Sequence, residues 1–171
     1  MFKALGLIGL IITSGMAGIL KASQLKQRTA MLYDIQDLVL TMKSQMNYLK
    51  EPISLLFENL SKKQDSRAFR LPGECLFEMK TKDGEMGRFW AQKVREIYRH
   101  TPLNEEDIKI LCQMGTYLGQ TDFANQQSQF QWTEERLHRQ IEEAEKQCAQ
   151  KYGLYCRLGF FGGAAAALIL I

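Results

Sequence analysis

Histidine is nearly missing from this chain: there are two in 171 residues, His100 and His138, on different expected helices. Neither has a second histidine one helical turn on, so both are read as surface residues and not as metal ligands or proton carriers. Cysteine is sparse as well, and Cys75, Cys112, Cys148 and Cys156 show no metal-ligand spacing. Cys112 and Cys148 fall on apolar helix faces, where a thiol is a small buried hydrophobe. No G-x-x-x-x-G-K-[ST] and no G-x-G-x-x-G occurs, so the chain is not itself a P-loop ATPase. No Ser-His-Asp or Cys-His arrangement suggests itself. The chain is therefore read as non-enzymatic, with no metal and no cofactor. A net charge of +3 is too small to argue for nucleic acid. Strand signals are weak throughout, and no internal repeat of solenoid length is found.

What the chain has in quantity is apolar sequence at its two ends. Ala4 to Leu20 reads ALGLIGLIITSGMAGIL, without a charge. As a helix this spans roughly 25 Å, inside the usable range for a bilayer core about 30 Å thick. Leu158 to Ile171 reads LGFFGGAAAALILI, roughly 21 Å as a helix. It suffices if Leu154, Tyr155 and Cys156 enter the membrane and Arg157 snorkels to the interface. Gly159 and Gly163 stand one turn apart, the spacing that lets helices approach closely in lipid. A cleaved signal peptide would want a small-x-small site before the charges begin, and none is clean. A core helix would show a polar face, and the tail shows none. Lys21, Lys26 and Arg28 follow the first segment, and Lys146, Lys151 and Arg157 precede the last. The positive-inside rule then puts the middle of the chain in the cytoplasm, where its thiols stay reduced.

The middle reads as helices. Leu25, Leu32, Ile35, Val39, Met42, Met46 and Leu49 form one face of a long helix that runs on from the first apolar segment. Pro52 suits the first turn of a second helix with Ile53, Leu56, Phe57 and Leu60 on its buried face. Pro72-Gly73 marks a turn before a short helix with Leu76, Phe77 and Met79. Phe89, Trp90, Val94, Ile97 and Tyr98 make the next amphipathic helix. Asn104 caps a helix whose first turn holds Glu105, Glu106 and Asp107, and Ile108, Leu111, Cys112 and Leu118 line one face of it. The last helix is long, with Phe123, Phe130, Leu137 and Ala144 repeating every seven residues. The expected fold class is all-α: a bundle of about six helices with N- and C-terminal transmembrane helices. Its domains are a membrane helix over 1–21, a cytosolic bundle over 22–153 and a second membrane helix over 154–171.

GTYLGQTD, Gly115 to Asp122, lies between the last two helices of that bundle. It reads as a tight structural joint. Gly115 removes a side chain where another helix approaches, Gly119 supplies a left-handed C-cap, and Thr121 caps the helix that follows.

The same stretch carries a family resemblance. Leu103, Glu106-Asp107, Leu111, Gly115, Leu118-Gly119, Thr121-Asp122 and Gln126 resemble the stage III sporulation protein AB family of endospore-forming bacteria. The resemblance extends to the N-terminal apolar segment, Trp90, and the Tyr155-x-x-Leu158-Gly159 entry to the C-terminal one. It implies a cytosolic domain similar to the F domain of type II secretion and type IV pilus platform proteins. It implies a place in a channel complex between mother cell and forespore, in the mother-cell membrane that becomes the outer forespore membrane. It also implies a partner, the stage III sporulation AA ATPase, besides other channel-complex subunits; self-association is left open. Within this reading Glu106, Asp107, Asp122 and Gln126 are the expected partner-binding residues. The competing reading is a membrane-anchored helical interaction protein not coupled to an ATPase.

Overall fold

A computed structural model describes residues 2–49, 53–62, 66–81, 86–118 and 123–169. Six helices account for almost all of them: α1 Phe2–Leu49, α2 Ile53–Ser61, α3 Arg67–Thr81, α4 Met86–Ile97, α5 Glu105–Tyr117 and α6 Phe123–Ile169. No strand occurs among the described residues. The all-α expectation holds, and α1 and α6 each run on without a break into the apolar ends of the chain. Among the described residues one helix is long and apolar enough to cross a membrane by length and composition: α6, over Asn125–Ile169.

The chain divides into two compact units, one made of Met1–Thr29 with Glu142–Ile171, the other of Ala30–Ile141. In the first unit α1 and α6 run antiparallel, because Ile11 lies by Gly163, Gly18 by Gly159 and Lys26 by Tyr152. The inner faces are made of small residues. Ser14, Gly18 and Ala22 follow one another turn by turn along α1, and Gly159, Gly163 and Ala167 do so along α6. A Cβ at Gly18 would stand 2.5 Å from the Tyr155 carbonyl oxygen and 2.9 Å from the Gly159 Cα, so the two backbones touch there. The Ser14 hydroxyl donates to the Gly159 carbonyl at 2.7 Å. The large apolar side chains, Ile12, Met16, Ile19, Leu158, Phe160 and Phe161, are all exposed. Nearer the charged stretch, the Lys26 ammonium sits 4.3 Å from the centre of the Tyr152 ring.

The second unit has an ordinary greasy core. Leu32, Ile35, Val39 and Met42 of α1 are buried, following the spacing expected from sequence, and Leu38 is buried beside them. Leu56, Phe57 and Leu60 of α2, Leu71 and Cys75 of α3, Phe89, Trp90 and Val94 of α4, Ile110, Leu111 and Met114 of α5, and Phe130, Leu137 and Ile141 of α6 join it. The Phe57 and Trp90 rings lie 5.8 Å apart. Helix α2 packs on α3, α3 on α4, and α4 on α5.

One turn expected from sequence is absent. Pro72 lies inside α3, and the helix continues through it. A proline there forfeits one backbone hydrogen bond, at a cost of about 3 kcal/mol. Burial of Phe69, Leu71 and Cys75 on the same helix offsets it at roughly 1.5–3 kcal/mol for each large side chain. Gly73 serves close packing instead of a turn: a Cβ there would meet the Ser61 Cβ of α2 at 3.0 Å. Phe77 of α3 is exposed.

Candidate partner-binding face

The start of α5 is fixed by a reciprocal cap. The Asp107 backbone N–H donates to the Asn104 side-chain oxygen at 2.8 Å, and the Asn104 N–H donates to Asp107 Oδ2 at 2.9 Å. Two of the donors that a helix start leaves orphaned are thereby satisfied. Asp107 is fully buried in this arrangement. Its neighbour Glu106 points the other way, is partly exposed, and forms an ion pair with Arg136 of α6.

Arg136 is the hub of a small surface cluster. Besides Glu106 it donates to the Gln113 Oε1 at 2.8 Å, and its guanidinium carbon lies 4.5 Å from the centre of the Trp132 ring. Trp132 is 41% exposed, high for so large an apolar group. Beside it is a hollow of about 290 Å³ lined by Gln113, Thr116, Tyr117, Asn125, Gln129 and Trp132. The lining is uncharged and rich in amides, which can both donate and accept.

Beneath this face the joint is locked from several sides. A Cβ at Gly115 would lie 2.6 Å from Trp90 Cδ1, and one at Gly87 would lie 2.9 Å from the Gly115 carbonyl oxygen. The Trp90 indole N–H donates to the Leu111 carbonyl at 2.7 Å. That carbonyl sits one turn before Gly115, so the missing side chain is what opens it to the indole. Gln126 donates through Nε2 to the Tyr117 carbonyl at 3.2 Å, satisfying an end carbonyl of α5 from α6. The Tyr117 and Thr133 hydroxyls are 2.7 Å apart, and Thr133 also donates to the Gln129 carbonyl at 2.9 Å. A hydroxyl has one proton, so Tyr117 is the donor of the pair. Burial pushes the Tyr117 phenol above its ordinary range, with the Thr133 hydroxyl and Arg136 pulling the other way.

Of the three expected partner-binding residues that are described, Glu106 alone is placed at the surface. Asp107 and Gln126 are buried and hold the joint together, because the α5 cap and the α5 C-terminal carbonyl claim their polar atoms. Asp122, with Gly119 and Thr121, lies outside the described residues. Gly115 is the close-approach position expected of it. Sequence reading missed Trp132, Arg136 and Gln113. The signal was faint: Trp132 and Arg136 stand one turn apart on α6, a spacing at which a cation can cover a ring. Among the described residues no group of three or more His, Cys, Asp or Glu is placed to hold a metal ion.

The family model described as stage III sporulation protein AB matches residues 3–171. No curated protein and no solved structure matches significantly. The family match spans nearly the full length, taking in the apolar ends, the capped start of α5 and the joint alike: this chain belongs to the stage III sporulation protein AB family.

Proposed function

We propose that this sporulation-family protein is a non-enzymatic membrane platform of the mother cell–forespore channel complex. Both ends of the chain span the mother-cell membrane, and the second unit is cytosolic and meets the stage III sporulation AA ATPase. The observation that carries the membrane part is the inverted packing of the first unit. Its small residues are inside, with backbones in contact, and its large apolar side chains are outside. In water that arrangement would waste the hydrophobic effect; in lipid, tails are as apolar as leucine, and close backbone packing with a buried hydroxyl bond drives association. The contact with the motor is assigned to Glu106, Gln113, Trp132 and Arg136. Tryptophan and arginine dominate binding energy at protein interfaces because they combine large area with directional donors.

Such a platform needs no chemistry of its own. A fixed bundle transmits force if its surface is rigid, and the bonds under the joint supply that rigidity. The test uses the full chain in nanodiscs with the purified ATPase. Binding and a change in hydrolysis rate are expected, both lost in Trp132→Ala/Arg136→Ala. Absence of both with the unaltered chain would support the anchored interaction protein with no motor. Digestion of the second unit by protease added outside intact cells would overturn the orientation.

A further inference from the structure

A second recess in the Ala30–Ile141 unit lies away from the Trp132 hollow, between the end of α4 and the start of α5. It has a volume of about 350 Å³ and shares no lining residue with the hollow. We propose that it is a docking site for an acidic peptide segment of a partner protein, held by its carboxylates and by an apolar side chain beside them.

Charge is the first argument. Arg95, Arg99 and Lys109 line the recess against one acid, Glu105. Elsewhere in this unit several cations meet carboxylates, Lys43 with Glu134 at 2.6 Å, Lys93 with Glu74 at 3.5 Å, and Arg136 with Glu106. Among the described residues Arg99 and Lys109 have no such partner, and Arg95 bonds the Cys112 thiol instead. A cation in the last turn of α4 complements that helix's negative end, which accounts for Arg95 without any ligand. It does not account for Lys109. That residue sits in the second turn of α5, past the first turn where a helix dipole acts, so no dipole argument places a cation there.

The second argument is that the recess is preformed. The turn from Tyr98 to Asn104 is held by the Thr101 N–H at 3.2 Å and the Thr101 hydroxyl at 2.7 Å, both donating to the Tyr98 carbonyl. The α5 cap fixes its far side. A rigid site loses less freedom on binding.

The chemistry favours a peptide carboxylate over a free phosphate. Arginine forks match a planar carboxylate with two parallel bonds. Leu103 and Ile108 give the recess an apolar part that inorganic phosphate would leave uncovered, and Glu105 on the rim repels a dianion more than a monoanion. The site does not depend on the motor assignment above.

The test is fluorescence anisotropy on the full chain in nanodiscs of zwitterionic lipid. The probe is a labelled peptide of alternating Glu and Leu, acetylated and amidated at its ends. Saturable binding is expected, weakened about tenfold or more by Arg99→Gln/Lys109→Gln and in a matching Gln–Leu peptide, since bonds to charged groups are the strong ones. Millimolar phosphate should not displace the probe, and Trp132→Ala should leave its affinity unchanged. Equal affinity for the Gln–Leu peptide, indifference to the double substitution, or displacement by phosphate would each overturn the proposal. Arg99 and Lys109 are exposed, and circular dichroism of the double variant checks that it keeps its helices. Loss of ATPase coupling with peptide binding intact would sink the platform reading and leave this site standing.

Discussion

The indole of Trp90 fills the space that a side chain at position 115 would need, with Cδ1, Cγ and Cβ all 2.6–2.8 Å from the place of a Cβ on Gly115. The ring cannot withdraw without giving up its bond to the Leu111 carbonyl. Gly115→Ala is therefore expected to destabilise the protein by about 1–3 kcal/mol through overpacking. Gly153 is the control: it is also helical, and a Cβ there meets nothing within 4 Å. Gly153→Ala should be neutral or stabilising by roughly 0.5–1 kcal/mol. Thermal unfolding of the two variants in the same detergent checks the contrast.

Trp90→Phe keeps most of the apolar volume and removes the indole donor. The Leu111 carbonyl retains its place in the α5 ladder, so no acceptor is stranded outright. A loss of about 0.5–1.5 kcal/mol is expected. Asn104→Ala should cost about 0.5–2 kcal/mol, because it unmakes the reciprocal cap and strands buried Asp107. Denaturant titration followed by far-ultraviolet circular dichroism measures both.

Alkaline pH should weaken the second unit. Burial raises the Tyr98 phenol above its ordinary value of 10.0, and the Asp34 carboxylate adds to the rise while Arg67 opposes it. Above pH 10 the unfolded phenol has lost its proton and the folded one has kept it. The folded state then binds more protons, so stability falls as pH rises. Burial likewise raises the Tyr117 phenol and the Cys112 thiol. Tyr98→Phe should flatten the fall above pH 10 and cost little at pH 7, where it deletes a buried hydroxyl that has no hydrogen-bond partner among the described residues. Melting curves between pH 7 and pH 11 would show this, and an unchanged slope in the variant would count against it.

The antiparallel helix pair of the first unit can be trapped chemically. Ser14 Cβ lies 2.9 Å from the place of a Cβ on Gly163. Ser14→Cys with Gly163→Cys, in a chain whose Cys148 and Cys156 are replaced by serine, should form a disulfide on mild oxidation once the two helices part by about 1 Å, to the Cβ separation of roughly 3.5–4.5 Å that the bridge needs. Mass spectrometry of the linked peptides reads it out. Gly159→Leu should abolish the link, since its side chain would enter the α1 backbone at Gly18.

Disrupting the surface cluster should separate function from stability. Glu106 is partly exposed, and exposed ion pairs contribute about 0–1 kcal/mol. Glu106→Gln is thus expected to leave the melting temperature nearly unchanged and to reduce ATPase coupling. A large loss of stability would show that the pair is structural.

Much of the fold is legible in the sequence because it is local. Helix spacing in α1, the Asn104 cap and the uncharged ends are properties of neighbours along the chain. The Pro72-Gly73 turn misled for the opposite reason. A proline's cost is local, and the burial of Phe69, Leu71 and Cys75 that outweighs it is not. The candidate face was legible only in part, since Glu106 and Asp107 are adjacent and look alike in sequence.

The sequence by itself determined that this chain is helical, that its ends are apolar, and that its joint is built for close approach. Which residues that joint leaves at the surface was decided by tertiary structure. Asp107 turns inward to cap α5 and Glu106 outward to meet Arg136, a residue far along the chain. Helical periodicity fixes which side chains share a face. It does not say which face another helix will cover, and that choice sets what remains for binding.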